Sequence, residues 1–302
     1  MNQSLRSPLP SITDFRFKHR LRVRWAEVDM QKIVFNGHYL MYLDTAVADY
    51  WRALGLPYEE AMHALGGDLY VKKSGLEYFA SARMDDQLDV ALKCLRIGNS
   101  SMVFSGVVFR DEVPLVAGEL LYVFADPATQ TSRPVPPVLR DVLESFERRA
   151  PVVDVTVGDW ATQRGDAQTL RTQVFIEEQN IPIDQEWDEA DATALHALVR
   201  NRLGQPIATG RLLQPQPGVG QIGRMAVHRV MRGGGWGQCV AQALLEHARD
   251  RGDHEVMLHA QRSAIDFYRS LGFAPRGPVF DEVGIPHQEM FLALAPERSD
   301  QR

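Results

Sequence analysis

The sequence has little cysteine, no long apolar run and no excess of basic residues. Its two cysteines, Cys94 and Cys239, fall in different halves of the chain, so a stabilising disulfide is not expected and a reducing compartment is. No segment approaches the roughly 20 apolar residues of a membrane span, and the first residues do not resemble a signal peptide. A net charge of -6 disfavours general nucleic-acid binding. We therefore expect a cytoplasmic protein that binds neither nucleic acid nor membrane.

The composition that remains is that of a folded chain long enough for two domains. Hydrophobic residues make up 45% of the 302 residues and charged residues 24%, which is typical of globular proteins. A proline-rich turn and a short amphipathic helix at 126–151 precede a change of pattern, which places a boundary near Ala150. The sequence predicts a loose tail at 1–14, one domain at 15–150 and another at 151–297.

The first domain has the pattern of one strand, one long helix and more strands. Apolar and basic residues alternate over 15–28, which predicts a strand with one buried face. Asn36 is a suitable N-cap for the helix that follows, and Gly55 and Pro57 are stop signals. Four apolar stretches separated by short turns predict a four-strand meander: 69–81, 86–97, 101–110 and 113–125. The pattern favours an α+β domain with a sheet on a helix.

The second domain alternates strands and helices. Residues 194–200 and 206–213 resemble a strand pair turned through Asn201–Pro206. A strand then leads through a glycine-rich loop into a helix, and a final strand is predicted at 288–294. These features indicate a mixed α/β domain, with no internal repeat between the two halves of the chain.

Asp29 follows the first strand, and Asn36 opens the helix seven residues later. The start of a helix presents free N–H groups and a positive dipole end, which would polarise a thioester carbonyl. A nearby carboxylate can attack that carbonyl or activate a water molecule. The spacing permits thioester hydrolysis, although a carboxylate in this position is also a common turn residue.

The first half resembles the 4-hydroxybenzoyl-CoA thioesterase branch of the hotdog superfamily over about 15–148. The residues that match its pattern are Asp29, Val34, Phe35, Asn36, Tyr39 and the stretch at 75–90. The resemblance implies an antiparallel sheet wrapped on a long central helix, Asp29 as the catalytic nucleophile or general base, and a polarising backbone N–H at Asn36. It also implies a homodimer or homotetramer and an acyl-CoA substrate. His38 is either a polar residue of the helix turn or a part of the catalytic site.

A glycine-rich turn, Arg232 to Gly237, lies between a strand and a helix in the second half. Glycines let backbone N–H groups approach a phosphate closely, and the helix start adds a favourable dipole. Arg232 can pair with the same phosphate. The turn does not match a P-loop, because no Lys-Ser/Thr pair follows the last glycine.

This half resembles the GNAT acetyltransferases over about 152–295, and more narrowly their ElaA-like branch. Arg232, Gly233, Gly235 and Gly237 match the family's acetyl-CoA signature, and 264–273 matches its second signature. The resemblance implies that the backbone of Met225, Ala226 and Val227 holds the acetyl carbonyl and the pantetheine arm. The pyrophosphate would lie in the cradle formed by Arg232, Gly233, Gly234, Gly235, Trp236 and Gly237.

Tyr268 is the acid that the same resemblance implies for the departing thiolate. A phenol can donate that proton, although a packed aromatic with a solvated hydroxyl is the other interpretation. The base stays open among Glu177, Glu186, Asp188, His196, Glu282 and His287. The acidic run at 177–191 either attracts a cationic amine or is a solvated loop. No ligand spacing indicates a metal site.

Together these patterns predict a bifunctional enzyme. The first domain would hydrolyse an acyl-CoA, and the second would move an acetyl group from acetyl-CoA to an amine. Acetyl-CoA or CoA is expected as substrate, with no metal or redox cofactor. In the alternative, one half is catalytic and the other is a CoA-binding regulatory module or a dimerisation module.

Overall fold

The computed structural model describes residues 9–294 and divides into two compact units, Met1–Val152 and Val153–Arg302. Within 9–152 the first unit has five strands and three α-helices. The strands are β1 (Phe17–Arg22), β2 (Asp68–Tyr78), β3 (Gln87–Ile97), β4 (Ser101–Arg110) and β5 (Val113–Ala125). The helices are α1 (Asn36–Ala53), α2 (Tyr58–Leu65) and α3 (Pro137–Glu147).

Helix α1 packs across one face of this sheet, against β1, β3 and β4. Its buried side chains recur at helical spacing and include Tyr39, Leu43, Ala46 and Tyr50. Gly106 on β4 makes room for the helix, since a Cβ at that position would come 2.4 Å from Leu43 Cδ2. The missing side chain therefore sets how closely the helix approaches the sheet.

The strand order is β1-β3-β4-β5-β2, and all pairs are antiparallel. The predicted four-strand meander is wrong for β2, which pairs with β5 rather than β3. The segment between β2 and β3 does not turn back on itself because it is held against α1. Its Ala82 accepts a hydrogen bond from the Val34 N–H and donates one to the Tyr39 hydroxyl oxygen, at 2.9 and 2.8 Å.

Helix starts in this unit differ from the prediction at two places. Asn36 is the first residue of α1, and Phe35 rather than Asn36 is the N-cap. Pro57 is not only a stop signal, because it is the N-cap of α2, a helix that the sequence did not indicate. Proline is tolerated at a helix start, where its missing N–H costs no intrahelical bond, so one residue can end one helix and begin another.

The second unit has seven strands and four α-helices within residues 153–294. The strands are β6 (Val153–Gly158), β7 (Leu195–Asn201), β8 (Pro206–Gln216), β9 (Val219–Val227), β10 (Glu255–Gln261), β11 (Ala274–Glu282) and β12 (Ile285–Ala293). The helices are α4 (Trp160–Arg171), α5 (Ile183–Glu186), α6 (Trp236–Asp250) and α7 (Ile265–Ser270). The sheet order is β11-β12-β10-β9-β8-β7-β6, and β9 and β10 are its parallel pair.

The predicted strand pair and the strand–loop–helix unit are present, but β11 was missed. Its two prolines argue against a strand, yet β11 lies at the sheet edge, where proline removes no ladder bond that is needed. Helix α4 continues into a π-helix at Thr172–Glu178, a feature often found near functional sites. Across the described residues of both units, no helix is long and apolar enough to cross a membrane.

Candidate active sites

A cavity of about 450 Å³ lies at the start of α1 in the first unit. It brings Asp29 and Asn36 together, as the sequence predicted, with Tyr39 and Tyr78 beside them. The remaining lining includes Val34, Phe35 and the segment at 79–81. The carboxylate and the helix start therefore face one space.

Asp29 is held by a tight turn. Its N–H donates to the Ile33 carbonyl at 2.9 Å, and the Lys32 N–H donates to the Asp29 carbonyl at 3.0 Å. The Gln31 N–H donates to Oδ1 of the carboxylate at 2.7 Å. Oδ2 has no hydrogen-bond partner among residues 9–294. One carboxylate oxygen thus fixes the orientation of the side chain and the other is available to react.

The first N–H groups of α1 are available in the same place. The Phe35 N–H donates to the Glu27 carbonyl at 3.0 Å, and the His38 N–H donates to the Phe35 carbonyl at 2.9 Å. Asn36 and Gly37 lie between them, and their N–H groups have no acceptor in the described part of the chain. Unpaired N–H groups at a helix start can stabilise the negative charge that develops on a thioester oxygen.

Glu27 lies next to the candidate site, where its carbonyl accepts the Phe35 N–H, and the sequence analysis missed it. It is buried and accepts hydrogen bonds from the Arg24 N–H and the Tyr42 hydroxyl, both at 2.7 Å. Burial alone would raise the pKa of Glu27, but the bonds from Arg24 and Tyr42 outweigh it and the pKa is lowered. This carboxylate ties the chain just before Asp29 to α1. The sequence signal that could have revealed Glu27 was the Arg24-x-x-Glu27 spacing.

The second unit contains a cavity of about 220 Å³ where β9 and β10 separate. The parallel pairing runs from Val219 and Glu255 to Ile222 and Leu258, and no pairing follows in the described strands. Beyond it, 223–225 of β9 and residues of β10 line the cavity. The sheet therefore opens between two neighbouring strands, and main-chain groups face the opening.

Strand β9 also bends at the opening. Arg224 has φ of 51°, which is uncommon for a residue with a side chain. The register with β8 shifts here and resumes with Ala226 opposite Thr209 and Val227 opposite Ala208. Met225 lines the cavity. Backbone groups of Met225, Ala226 and Val227 that face away from β8 have no strand partner, so they can bind an amide-bearing arm.

The glycine-rich turn leads into α6 with an open row of backbone N–H groups. Gly233 and Gly235 have φ of 80° and 85°, values that glycine adopts without strain. A Cβ on Gly234 would come 2.6 Å from Trp236 Nε1, so the turn needs a third glycine there. The N–H groups of Trp236 and Gly237 begin α6 and have no intrahelical acceptor. This arrangement suits an anion such as a pyrophosphate.

Arg232 does not point freely toward that cradle. Its guanidinium donates two hydrogen bonds to the Glu178 carboxylate, at 2.6 and 2.7 Å. Its Nε donates a third to the Val227 carbonyl at 3.2 Å. The hydrogen bond from Arg232 lowers the pKa of Glu178. Glu178, which the sequence analysis missed, thus joins the end of the π-helix to the glycine-rich turn.

Removing the Glu178 charge is expected to strengthen acetyl-CoA binding. In Glu178→Gln the guanidinium of Arg232 is no longer held by a carboxylate and can pair with a phosphate of the ligand. An exposed ion pair between arginine and an anion contributes about 0.5–1 kcal/mol, so Kd should fall roughly two- to fivefold. Calorimetric titration with acetyl-CoA measures the change, with Glu177→Gln, a neighbouring exposed carboxylate, as control. Weaker binding in Glu178→Gln would show instead that Glu178 holds Arg232 in its binding position.

Tyr268 lies on α7, and its side chain lines the cavity. The residue is buried, and burial raises the pKa of its phenol. The hydroxyl has no hydrogen-bond partner within residues 9–294. It therefore stays protonated at neutral pH and has its proton free to give.

Ion pairs with arginine take up part of the acidic run at 177–191. Arg171 donates to Glu186 at 2.5 Å and to Asp191 at 2.8 Å, and both carboxylates are buried with it. Arg211 donates two hydrogen bonds to the Asp188 carboxylate. These bonds are the largest cause of the lowered pKa of Asp188, which is about 2. Four acidic residues of the run therefore bind arginines, whereas Glu177, Asp184 and Glu189 are exposed.

Only some of the six candidate general bases lie at the cavity of the second unit. Glu186, Glu282 and His287 line the cavity, whereas the other three do not. Glu177 is exposed, and His196 is buried beside the Asp191 carbonyl, 2.9 Å from its Nε2. Within the described chain, no group of three or more histidine, cysteine, aspartate or glutamate residues is arranged to hold a metal ion.

Comparison with known protein families matches each unit separately. Residues 31–117 match the thioesterase superfamily, and residues 164–273 match the acetyltransferase (GNAT) family. The predicted fold class, a hotdog domain followed by a mixed α/β GNAT domain, is confirmed. The predicted pairing of a thioesterase-like half with a GNAT half is confirmed as well.

Individual relatives cover one unit each. The Bacillus subtilis protein "Uncharacterized N-acetyltransferase YjcF" is 33% identical over 129 residues, which are 42% of this chain and 91% of the relative. The crystal structure of Escherichia coli ElaA is 30% identical, covers 46% of this chain and 98% of its own, and has a TM-score of 0.42. A thioesterase-superfamily structure from Jannaschia sp. CCS1 is 22% identical, with coverages of 45% and 94% and a TM-score of 0.42.

Proposed function

We propose that this chain is a bifunctional acyl-CoA enzyme, because its second unit belongs to the GNAT acetyltransferase family and its first unit matches the thioesterase superfamily over residues 31–117. The first unit hydrolyses an acyl-CoA thioester. The second transfers the acetyl group of acetyl-CoA to an amine. Both reactions release free CoA, and neither uses a metal or a redox cofactor in this proposal.

The observation that carries hydrolysis is the cavity shared by Asp29 and the start of α1. The thioester oxygen lies against the N–H groups of Asn36 and Gly37, which have no other acceptor in the described chain. Asp29 then either attacks the carbonyl carbon or takes a proton from the water that attacks it. In both routes the water oxygen ends in the free acid, the C–S bond breaks, and the sulfur leaves as the CoA thiol.

Acetyl transfer is supported by the opening between β9 and β10 and the glycine-rich turn beside it. The pyrophosphate lies on the N–H groups at the start of α6, and the pantetheine arm pairs with backbone groups of 225–227 that β8 does not bind, apart from the Val227 carbonyl, which Arg232 occupies. This places the thioester in the cavity that Tyr268 lines. The Tyr268 hydroxyl gives its proton to the departing thiolate.

We also propose that the first unit assembles as a homodimer or homotetramer. Strand β2 is a sheet edge of 11 residues and is exposed along most of its length. Long open edges invite pairing with another chain. Exposed apolar side chains near the cavity mouth, Phe35, Tyr78 and Phe79, favour burial against a second copy of this unit.

The two activities are separated by measuring thiol release with and without an amine. Wild-type protein and a panel of acyl-CoAs from aromatic to long-chain give the hydrolysis rate when no amine is present. Acetyl-CoA with a panel of primary amines gives the amine-dependent rate. The proposal expects both, and the absence of either would contradict that half of it.

Replacing Tyr268 with phenylalanine is expected to lower kcat of acetyl transfer about 10²-fold, a typical loss for a general acid. The affinity for acetyl-CoA and the melting temperature should change little, because the hydroxyl has no hydrogen-bond partner in the described residues. Steady-state kinetics with acetyl-CoA and the best amine of the panel measure the change. Thioester hydrolysis by the first unit of the same variant is the internal control, and an unchanged kcat of transfer would exclude the acid role.

A further inference from the structure

His259 lies on β10 at the opening of the sheet. Its neighbours Leu258 and Ala260 are 1% and 0% exposed, so they face the core, and strand alternation places His259 on the opposite face. On that face the imidazole lines the cavity, as does Tyr268. A histidine is thus present in the space where the acetyl group would be transferred.

The imidazole is oriented by a carboxylate. His259 Nδ1 lies 3.2 Å from Oε2 of Glu282. An ionised carboxylate only accepts hydrogen bonds, so Nδ1 of the neutral ring carries the hydrogen and Nε2 keeps its lone pair. Nε2 has no partner among residues 9–294. A ring nitrogen left free in this way, with the other nitrogen held by a carboxylate, is the arrangement of a general base.

Glu282 is brought to the cavity by a strained turn between β11 and β12. Val283 and Gly284 have φ of 58° and 74°, and a positive φ is a genuine outlier for a β-branched residue such as valine. The Asp281 carboxylate accepts the Gly284 N–H at 2.9 Å and stabilises the turn. Strain of this kind persists where the surroundings enforce it, often at functional sites.

The other ionisable groups that line the cavity are held differently. Both oxygens of Glu186 face arginines: Oε1 accepts a hydrogen bond from Arg171 Nε at 2.5 Å, and Oε2 lies 3.5 Å from Arg224 Nε in an ion pair. His287 has its Nδ1 2.8 Å from the Ile285 carbonyl oxygen, so a backbone group rather than a carboxylate orients its ring. Of the carboxylates that line the cavity, Glu282 is the one that no arginine binds in the described structure.

We propose that His259, held in place by Glu282, is the general base that deprotonates the acceptor amine. This inference rests on the proposed acetyl transfer and names the proton acceptor that the sequence left open. The acceptor is a primary amine that arrives as an ammonium ion. Glu282 is a positioning residue, because it acts through the imidazole.

Protons and electron pairs balance in this scheme. Nε2 of His259 takes one proton from the ammonium group, and the nitrogen lone pair attacks the carbonyl carbon of acetyl-CoA. The C–S bond breaks, and Tyr268 protonates the thiolate. The second proton lost by the nitrogen returns to the Tyr268 phenolate, and the proton on His259 passes to solvent. The products are the acetamide, the CoA thiol and one free proton.

The test compares two amines that differ in protonation. Ethylamine is an ammonium ion at neutral pH and needs a base, whereas hydroxylamine is already neutral and does not. Amine-dependent thiol release from acetyl-CoA is measured for wild type, His259→Gln and Glu282→Gln, after subtraction of the rate without enzyme. His254→Gln, an exposed histidine just before β10, is the matched control.

His259→Gln should lower kcat/KM for ethylamine about 10²-fold and for hydroxylamine less than threefold, in line with general-base contributions. Glu282→Gln should show the same selectivity with a loss of roughly tenfold. Equal losses with both amines, or an ethylamine rate within threefold of wild type in His259→Gln, would overturn the base assignment. Wild type using neither amine would contradict acetyl transfer itself.

Discussion

Asp29→Asn is expected to lower thiol release in the absence of amine by about 10³-fold, within the range found for catalytic acids and bases. Asparagine has nearly the same shape, and its Oδ1 can still accept the Gln31 N–H that holds Asp29 at 2.7 Å. The turn should therefore be preserved while the charge that attacks or activates water is lost. Steady-state hydrolysis of the best acyl-CoA substrate measures the effect.

The control for this variant is Asp44→Asn, which removes an exposed carboxylate from α1 without touching the cavity lining. Its hydrolysis rate should match that of wild type. Amine-dependent transfer by the second unit should be the same in all three proteins. Equal hydrolysis by Asp29→Asn and wild type would remove the first unit as the source of the activity.

Arg171→Met is expected to cost the second unit about 3–5 kcal/mol of unfolding free energy. The guanidinium is 1% exposed and binds Glu186 and Asp191, which are themselves buried. Methionine fills similar space but removes the Arg171 bonds to both buried carboxylates, which keep only the weaker neutralisation by Arg211 and Arg224. Because a domain is typically stable by only 5–15 kcal/mol, acetyl transfer should be lost near physiological temperature while thioester hydrolysis persists.

Denaturant unfolding followed by tryptophan fluorescence measures this loss, since the rings of Trp160 and Trp187 lie against Arg171. Arg164→Met, an exposed arginine of the same helix α4, should cost less than about 0.5 kcal/mol. Adding Glu186→Gln to Arg171→Met should recover part of the stability by removing one charge that is no longer fully compensated. A cost below about 1 kcal/mol for Arg171→Met would contradict a stabilising role for this network.

Local signals in the sequence predicted the local geometry of both candidate sites. The alternation before Asp29 and the helical spacing after Asn36 placed a carboxylate at a helix start, and both face one cavity in the structure. The glycines at 233–237 and their place between a strand and a helix likewise predicted the turn before α6. Each of these signals lies within a short stretch of chain, where spacing alone determines geometry.

Features that depend on distant residues were not predictable in this way. Glu178 and Arg232 are 54 positions apart, and His259 and Glu282 are 23 apart, yet each pair is in contact. The placement of β2 beside β5 likewise depends on how the segment containing Ala82 binds α1. The ion pairs of the acidic run at 177–191 could not be predicted either, because the arginines that bind it lie on other elements.

The opening between β9 and β10 depends on where a ladder of backbone pairs ends, at Ile222 and Leu258. Replacing one side chain with another in this part of β9 changes the residues that line the cavity but does not move the cavity. Inserting or deleting a single residue ahead of Ile222 would turn every later side chain of β9 to the opposite face. Along β9, the cavity between β9 and β10 should therefore tolerate changes of amino-acid identity far better than changes of strand length.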